Sequence, residues 1–202
     1  MKLYPLALLP VWSRGGDGRF PASTGAVLIL GYLPYAAALG AGALGFLPEY
    51  FGSAEDHNIG LRALLTHPFG FTGEVARGAA MALLFAALAA ALVAIGRWSA
   101  PGAQGLWRAS ALAAGAYLLL VPTAMHPWYV LWIVPFFCAG PPPAWLWFSG
   151  AVTLSYVAYV VAPAPFPWWA WLAQYGPLYA LLLVGACRSL LHRAPAAAVV
   201  RA

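Results

Sequence analysis

Residues 78–96 read GAAMALLFAALAAALVAIG, nineteen positions without a charge, a hydroxyl or an amide. The hydrocarbon core of a bilayer is about 30 Å thick and takes roughly 20 helical residues to cross. In lipid every backbone N–H and C=O must be paired inside its own segment, and an α-helix does this by itself. Arg77 and Arg97 stand at the two ends of the run, where charged side chains reach the headgroups. The stretch therefore predicts a membrane-spanning helix.

The rest of the chain follows the same rule. Leu3 to Trp12 is a short apolar run after Met1-Lys2, and the order of charge and apolar residues resembles a signal peptide, but no clean small-residue cleavage site follows. Ser13 to Arg19 is a glycine-rich loop with two arginines, and Gly25 to Leu47 is an apolar run that Pro34 is expected to kink. Downstream, apolar runs cover 109–125, 129–139, 144–162 and 172–187, parted by Arg97 to Arg108, His126-Pro127-Trp128-Tyr129, Gly140 to Pro143 and Pro163 to Pro167. The run 129–139 is short for a span, so a tilted crossing and a partial re-entry both remain open. The expected fold is an all-α integral membrane bundle, a single transmembrane domain over 1–202 with six full spans and an N-terminal partial one.

Composition agrees. Hydrophobic residues make up 63% of the 202 and charged residues 7%, against about 25% charged in a soluble domain. Mean hydropathy is +0.79. The net charge of +5 comes from basic residues in short loops, a topological signal rather than a nucleic-acid patch. Cys138 and Cys187 lie in or at the ends of apolar runs without metal-ligand spacing and read as small core residues. The spans 78–96 and 109–115 carry no acid, which argues against an ion-coupled transporter.

With alternating spans, Arg14, Arg19, Arg97, Arg108, Arg188, Arg193 and Arg201 fall on one side and Lys2, Arg62 and Arg77 on the other. The positive-inside rule places the seven, and the C-terminus, in the cytoplasm of a cell bounded by this membrane. The segment 48–77 then becomes an extracytoplasmic loop, sharing its face with the His126 turn and with Trp168, Trp169 and Trp171, which read as an interfacial belt.

The loop holds Glu49, Glu55, Asp56 and Glu74, four of the five acids. In Glu55-Asp56-His57-Asn58 two adjacent carboxylates beside an imidazole supply a general base, Asp56 or Glu55; the alternative is an exposed loop whose acids stay in water. No metal spacing is present, and no metal is expected. In His126-Pro127-Trp128-Tyr129 an imidazole at a helix end can donate to a phosphate oxygen or shuttle a proton; alternatively Pro127 breaks the helix and the aromatics anchor the interface. Lys2 reads either as a phosphate ligand or as a charge snorkelling to the interface. Asp17, between Arg14 and Arg19, reads as a surface ion pair.

The segment from Met125 to Phe136, Met-His-Pro-Trp-Tyr-Val-Leu-Trp-Ile-Val-Pro-Phe, closely resembles part of the polyprenyl-phosphate-sugar-dependent glycosyltransferases of the GT-C class, family 87 mannosyltransferases most of all. Lys2-Leu3-Tyr4-Pro5, Asn58-Ile59-Gly60-Leu61 and Trp171 to Leu178 fit in the same order, so the resemblance covers nearly the whole chain. It implies transfer of a sugar, often mannose, from a polyprenyl-phosphate donor to a lipid or glycan acceptor on the extracytoplasmic face of the cytoplasmic membrane, without a further cofactor. It also implies a loop carboxylate acting as base, with His126 and Lys2 near the donor phosphate and Trp128, Tyr129 and Asn58 in the substrate-binding set. Members of that class carry their main catalytic Asp or Glu in an outer loop well before the Lys-x-Tyr-Pro piece, where this chain starts; the expectation is the C-terminal part of a longer enzyme. The reading from another class is a non-catalytic membrane scaffold or a component of a lipid transporter.

Overall fold

The computed structural model describes residues 4–14, 16, 18–45, 60, 61, 73–122, 124–139, 142–162 and 165–193. Among them every regular element is helical. A 3-10 turn, Tyr4–Leu8, leads into α1 (Leu9–Trp12). Next come α2 (Arg19–Leu39), α3 (Glu74–Trp98) and α4 (Gly102–Leu120). After these come α5 (Pro127–Val130), a 3-10 stretch Val134–Ala139, and α6 (Pro143–Ala151). The chain continues through 3-10 residues Val152–Tyr156 into α7 (Val157–Val161) and, last, α8 (Trp168–Arg193).

Four helical stretches are long and apolar enough to cross a membrane: Arg19–Leu39, Gly78–Trp98, Pro143–Val161 and Trp168–Ser189. Their outward faces carry Leu30, Leu83, Leu146 and Leu183, all exposed. A soluble monomer does not tolerate apolar patches of that extent, whereas lipid tails solvate them. Helix α2 is the limiting case, with no buried residue along its length. The chain thus has the build of an all-α membrane protein.

Several boundaries differ from the sequence reading, each for a local reason. Helix α2 starts at Arg19 rather than Gly25. Pro21 falls in its first turn, where a missing N–H costs nothing, and the hydroxyls of Ser23 and Thr24 donate to the Phe20 carbonyl at 2.9 Å, so these polar residues stay inside the helix. Helix α4 runs from Gly102 to Leu120 rather than 109–125. Gln104, Trp107 and Arg108 continue it toward the N-terminus, while Pro122 forbids helical geometry just beyond its end. Helix α3 includes Glu74 in its first turn, which removes the last part of the expected loop 48–77. Helix α8 begins at Trp168, so the tryptophan cluster sits on its first turn.

Two buried clusters hold the bundle. Helices α3 and α4 form a hairpin joined by Ser99 to Pro101, and α1 lies across it, with Val11 packed among Leu88, Leu92, Ala109 and Ala113. The indole Nε1 of Trp12 donates to Ser110 Oγ at 2.9 Å, and Ser110 Oγ donates in turn to the Leu106 carbonyl. Arg14 donates to the Gly102 carbonyl at 3.4 Å, so Arg14 meets the turn that follows Arg97. The second cluster joins α4, α6 and α8 through Leu118, Trp145, Phe148, Tyr175 and Leu178. In lipid the hydrophobic effect does not draw helices together, and close approach of small residues takes its place. Gly115 supplies it here: a Cβ at that position would stand 2.8 Å from Trp145 Cζ2.

The segment after α4 folds back along it. Tyr117 meets Trp132 with ring centroids 5.5 Å apart, and Trp107 meets Phe136 at 5.1 Å. Later residues of 127–139 therefore lie beside earlier residues of α4, and the short apolar run retraces most of that helix. Its 3-10 portion, which rises about 2.0 Å per residue rather than 1.5, lets a short segment cover that distance.

Candidate functional site: an aromatic cluster around His126

His126 marks the turn of this hairpin, at the end of the bundle away from Arg14 and the α3–α4 connection. Its backbone is extended (φ −101°, ψ 155°) because the ring of Pro127 clashes with a helical residue before it. Pro127 then opens α5 at the position where a helix has no use for an N–H. The His126 carbonyl accepts from the Tyr129 N–H at 2.9 Å, which fixes the turn.

The imidazole is 8% exposed, and three aromatic rings surround it. Trp128 stacks on it with centroids 4.3 Å apart and planes inclined by 13°. Tyr159, from α7, lies 6.3 Å away at 16°, and Tyr129 5.8 Å away at 45°. Tyr129 packs edge-on against Trp132 at 5.2 Å, which ties the cluster to the return segment. Tyr156 extends it on the other side, 6.1 Å from Tyr159. An imidazole held this way keeps one orientation, and its N–H is positioned to donate to an anionic oxygen or pass a proton.

Of the residues expected to carry chemistry, His126, Trp128 and Tyr129 come together here. Lys2, Glu55, Asp56 and Asn58 lie outside the described residues. Sequence reasoning missed Tyr156 and Tyr159; the signal available was a pair of tyrosines three apart near the end of an apolar run, on the same side of the membrane as His126.

One point of the acidic loop is described. Gly60 is buried with φ +52°, and a Cβ there would stand 3.2 Å from Tyr175 Cε1, 3.4 Å from Tyr179 Oη and 3.6 Å from the Leu119 carbonyl. The loop residue therefore sits between the end of α4 and the tyrosines of α8, which stack in series with Trp171, Tyr175 and Tyr179 at centroid spacings of 5.6 and 5.8 Å. Only a residue without a side chain enters that space in that conformation.

Beside α8 an open groove of about 720 Å³ is lined by Leu146, Trp147, Leu154 and Leu181 and is almost wholly apolar. Among the described residues no group of three or more His, Cys, Asp or Glu is arranged to hold a metal.

The fold and this cluster define a class, an α-helical membrane protein with a buried histidine in an aromatic setting at one end of the bundle. No family model, curated protein or solved structure matches the chain.

Proposed function

We propose that the chain is the membrane-embedded part of a glycosyltransferase that moves a sugar, mannose in the families it resembles, from a polyprenyl phosphate to a lipid or glycan acceptor at the extracytoplasmic face of the cytoplasmic membrane. The observation that carries this reading is the His126 imidazole, 8% exposed and stacked on Trp128 at the turn of the α4 hairpin. A fixed donor at that depth suits a phosphate attached to a chain that stays in lipid. The apolar groove beside α8 suits such a hydrocarbon chain.

In the reaction the acceptor hydroxyl oxygen attacks the anomeric carbon, the bond from that carbon to the phosphate oxygen breaks, and the phosphate leaves on its carrier. Asp56, or Glu55 beside it, takes the hydroxyl proton. His126 hydrogen-bonds the departing phosphate oxygen, Lys2 adds opposite charge, and Trp128, Tyr129 and Asn58 hold the sugar and the acceptor. Asp56 precedes Gly60 by four residues in the chain, and the burial of Gly60 against Tyr175 ties that loop to the bundle. The arginines near the α3–α4 turn support an orientation with that end cytoplasmic and His126 outside.

The test uses membranes carrying this chain, and membranes carrying any longer product of the same reading frame, supplied with radiolabelled polyprenyl-phosphate mannose. Labelled product that His126→Ala abolishes is the expected result. Absence of transfer from both preparations refutes the reading.

A further inference from the structure

We propose that Tyr156 and Tyr159, which the sequence reading left without a role, form with Trp128 a platform on which a hexopyranose ring stacks. The sugar as ligand rests on the glycosyltransferase reading; the platform itself rests on geometry. Trp128 and Tyr159 each lie nearly parallel to the imidazole of His126, at 13° and 16°, so the indole and the phenol are themselves close to parallel. Tyr156 joins the edge of this array at 40° to Tyr159. The imidazole is buried, yet the rings on it are open: Trp128 is 42% exposed, Tyr156 46% and Tyr159 59%.

A pyranose ring in a chair presents one face of C–H groups and a rim of hydroxyls. The negative π-face of an aromatic ring attracts the C–H face, and phenol and indole edges hydrogen-bond the rim. Two alternatives fit less well. An interfacial belt needs only single aromatic rings at headgroup depth and has no use for parallel planes around a buried imidazole. A cage for a quaternary ammonium sets rings at steep angles about a point, whereas these lie flat to one another; among the described residues no acidic side chain adds the negative charge that such a cation favours.

The experiment takes the full chain purified in an amine-oxide detergent, which carries no sugar, and measures saturation transfer by NMR from the protein to methyl α-mannopyranoside, with glycerol as control. Saturation should concentrate on the ring C–H protons of the glycoside. Tyr159→Phe should keep it, and Tyr159→Ala should weaken binding about five- to tenfold, as should Tyr156→Ala to a smaller degree. Each variant is compared by size-exclusion profile, so that loss of fold is not mistaken for loss of the platform. No saturation in the parent protein, or equal saturation in a well-folded Tyr159→Ala, overturns the proposal, as does saturation found only on the methyl groups of added phosphocholine. The two readings separate cleanly: glycoside binding that depends on Tyr159 without sugar transfer leaves the platform and removes the enzyme, and transfer with glycoside binding indifferent to Tyr159 does the reverse.

Discussion

The imidazole of His126 lies face to face with the indole of Trp128, centroids 4.3 Å apart and planes inclined by 13°. The indole is the more exposed of the two, so it covers the histidine and fixes the direction of its N–H. A stack of this kind is worth about 0.5–1.5 kcal/mol beyond the area it buries.

Replacing Trp128 therefore acts on catalysis through His126. Trp128→Phe keeps a ring in place and should retain most of the transfer rate. Trp128→Ala should lower kcat/KM by about tenfold, the equivalent of roughly 1.4 kcal/mol. Steady-state kinetics with polyprenyl-phosphate mannose checks this, and equal rates in the two variants would contradict it.

At Gly115 the constraint is packing alone. Gly115→Ala drives a methyl group to 2.8 Å from the Trp145 ring, and overpacking of this sort costs about 1–3 kcal/mol. Gly150→Ala, on the neighbouring α6, meets nothing within 4 Å and should be neutral or slightly stabilising. Denaturation of the two variants in mixed micelles gives the comparison; an equally stable Gly115→Ala would show that α4 and α6 do not approach as described.

Gly60 combines a left-handed backbone with a buried position, φ +52° and Tyr175 Cε1 at 3.2 Å from an added Cβ. Gly60→Ala should lose about 1–2 kcal/mol from backbone strain and loosen the loop that holds Asp56. Gly73→Ala, at the other end of the same loop, has an ordinary φ of −81° and open space, and should keep full activity. Transfer assays on both, beside a stability measurement, decide whether anchoring of the loop matters for the reaction.

Topology has its own test. In a background with Cys138 and Cys187 changed to serine, Ala100→Cys places an exposed thiol in the α3–α4 turn beside Arg97. A membrane-impermeant maleimide should label it in inverted vesicles and not in intact cells. Labelling in intact cells would invert the orientation and move His126 to the cytoplasmic side.

The membrane character was legible in residues 78–96 and in the arginines around them, because the cost of an unpaired backbone group or a charge in hydrocarbon permits few arrangements. Helix ends were less legible. Ser23 and Thr24 look like loop residues until their hydroxyls are seen to bond within the helix, and Gln174 sits fully buried in α8 because its Nε2 donates to the Ala170 carbonyl at 3.0 Å.

By itself, then, the sequence determined that the chain lives in lipid as helices and that His126 stands at a proline-marked turn, since hydropathy and proline stereochemistry are local properties. Only the tertiary structure decided what surrounds that histidine. The return of 127–139 along α4 brought Trp132 to Tyr117, the approach of α7 brought Tyr159 to the imidazole, and the space between Leu119 and Tyr175 admitted Gly60. Each of these joins segments distant in sequence, and such meetings are set by how helices pack, which no local pattern encodes.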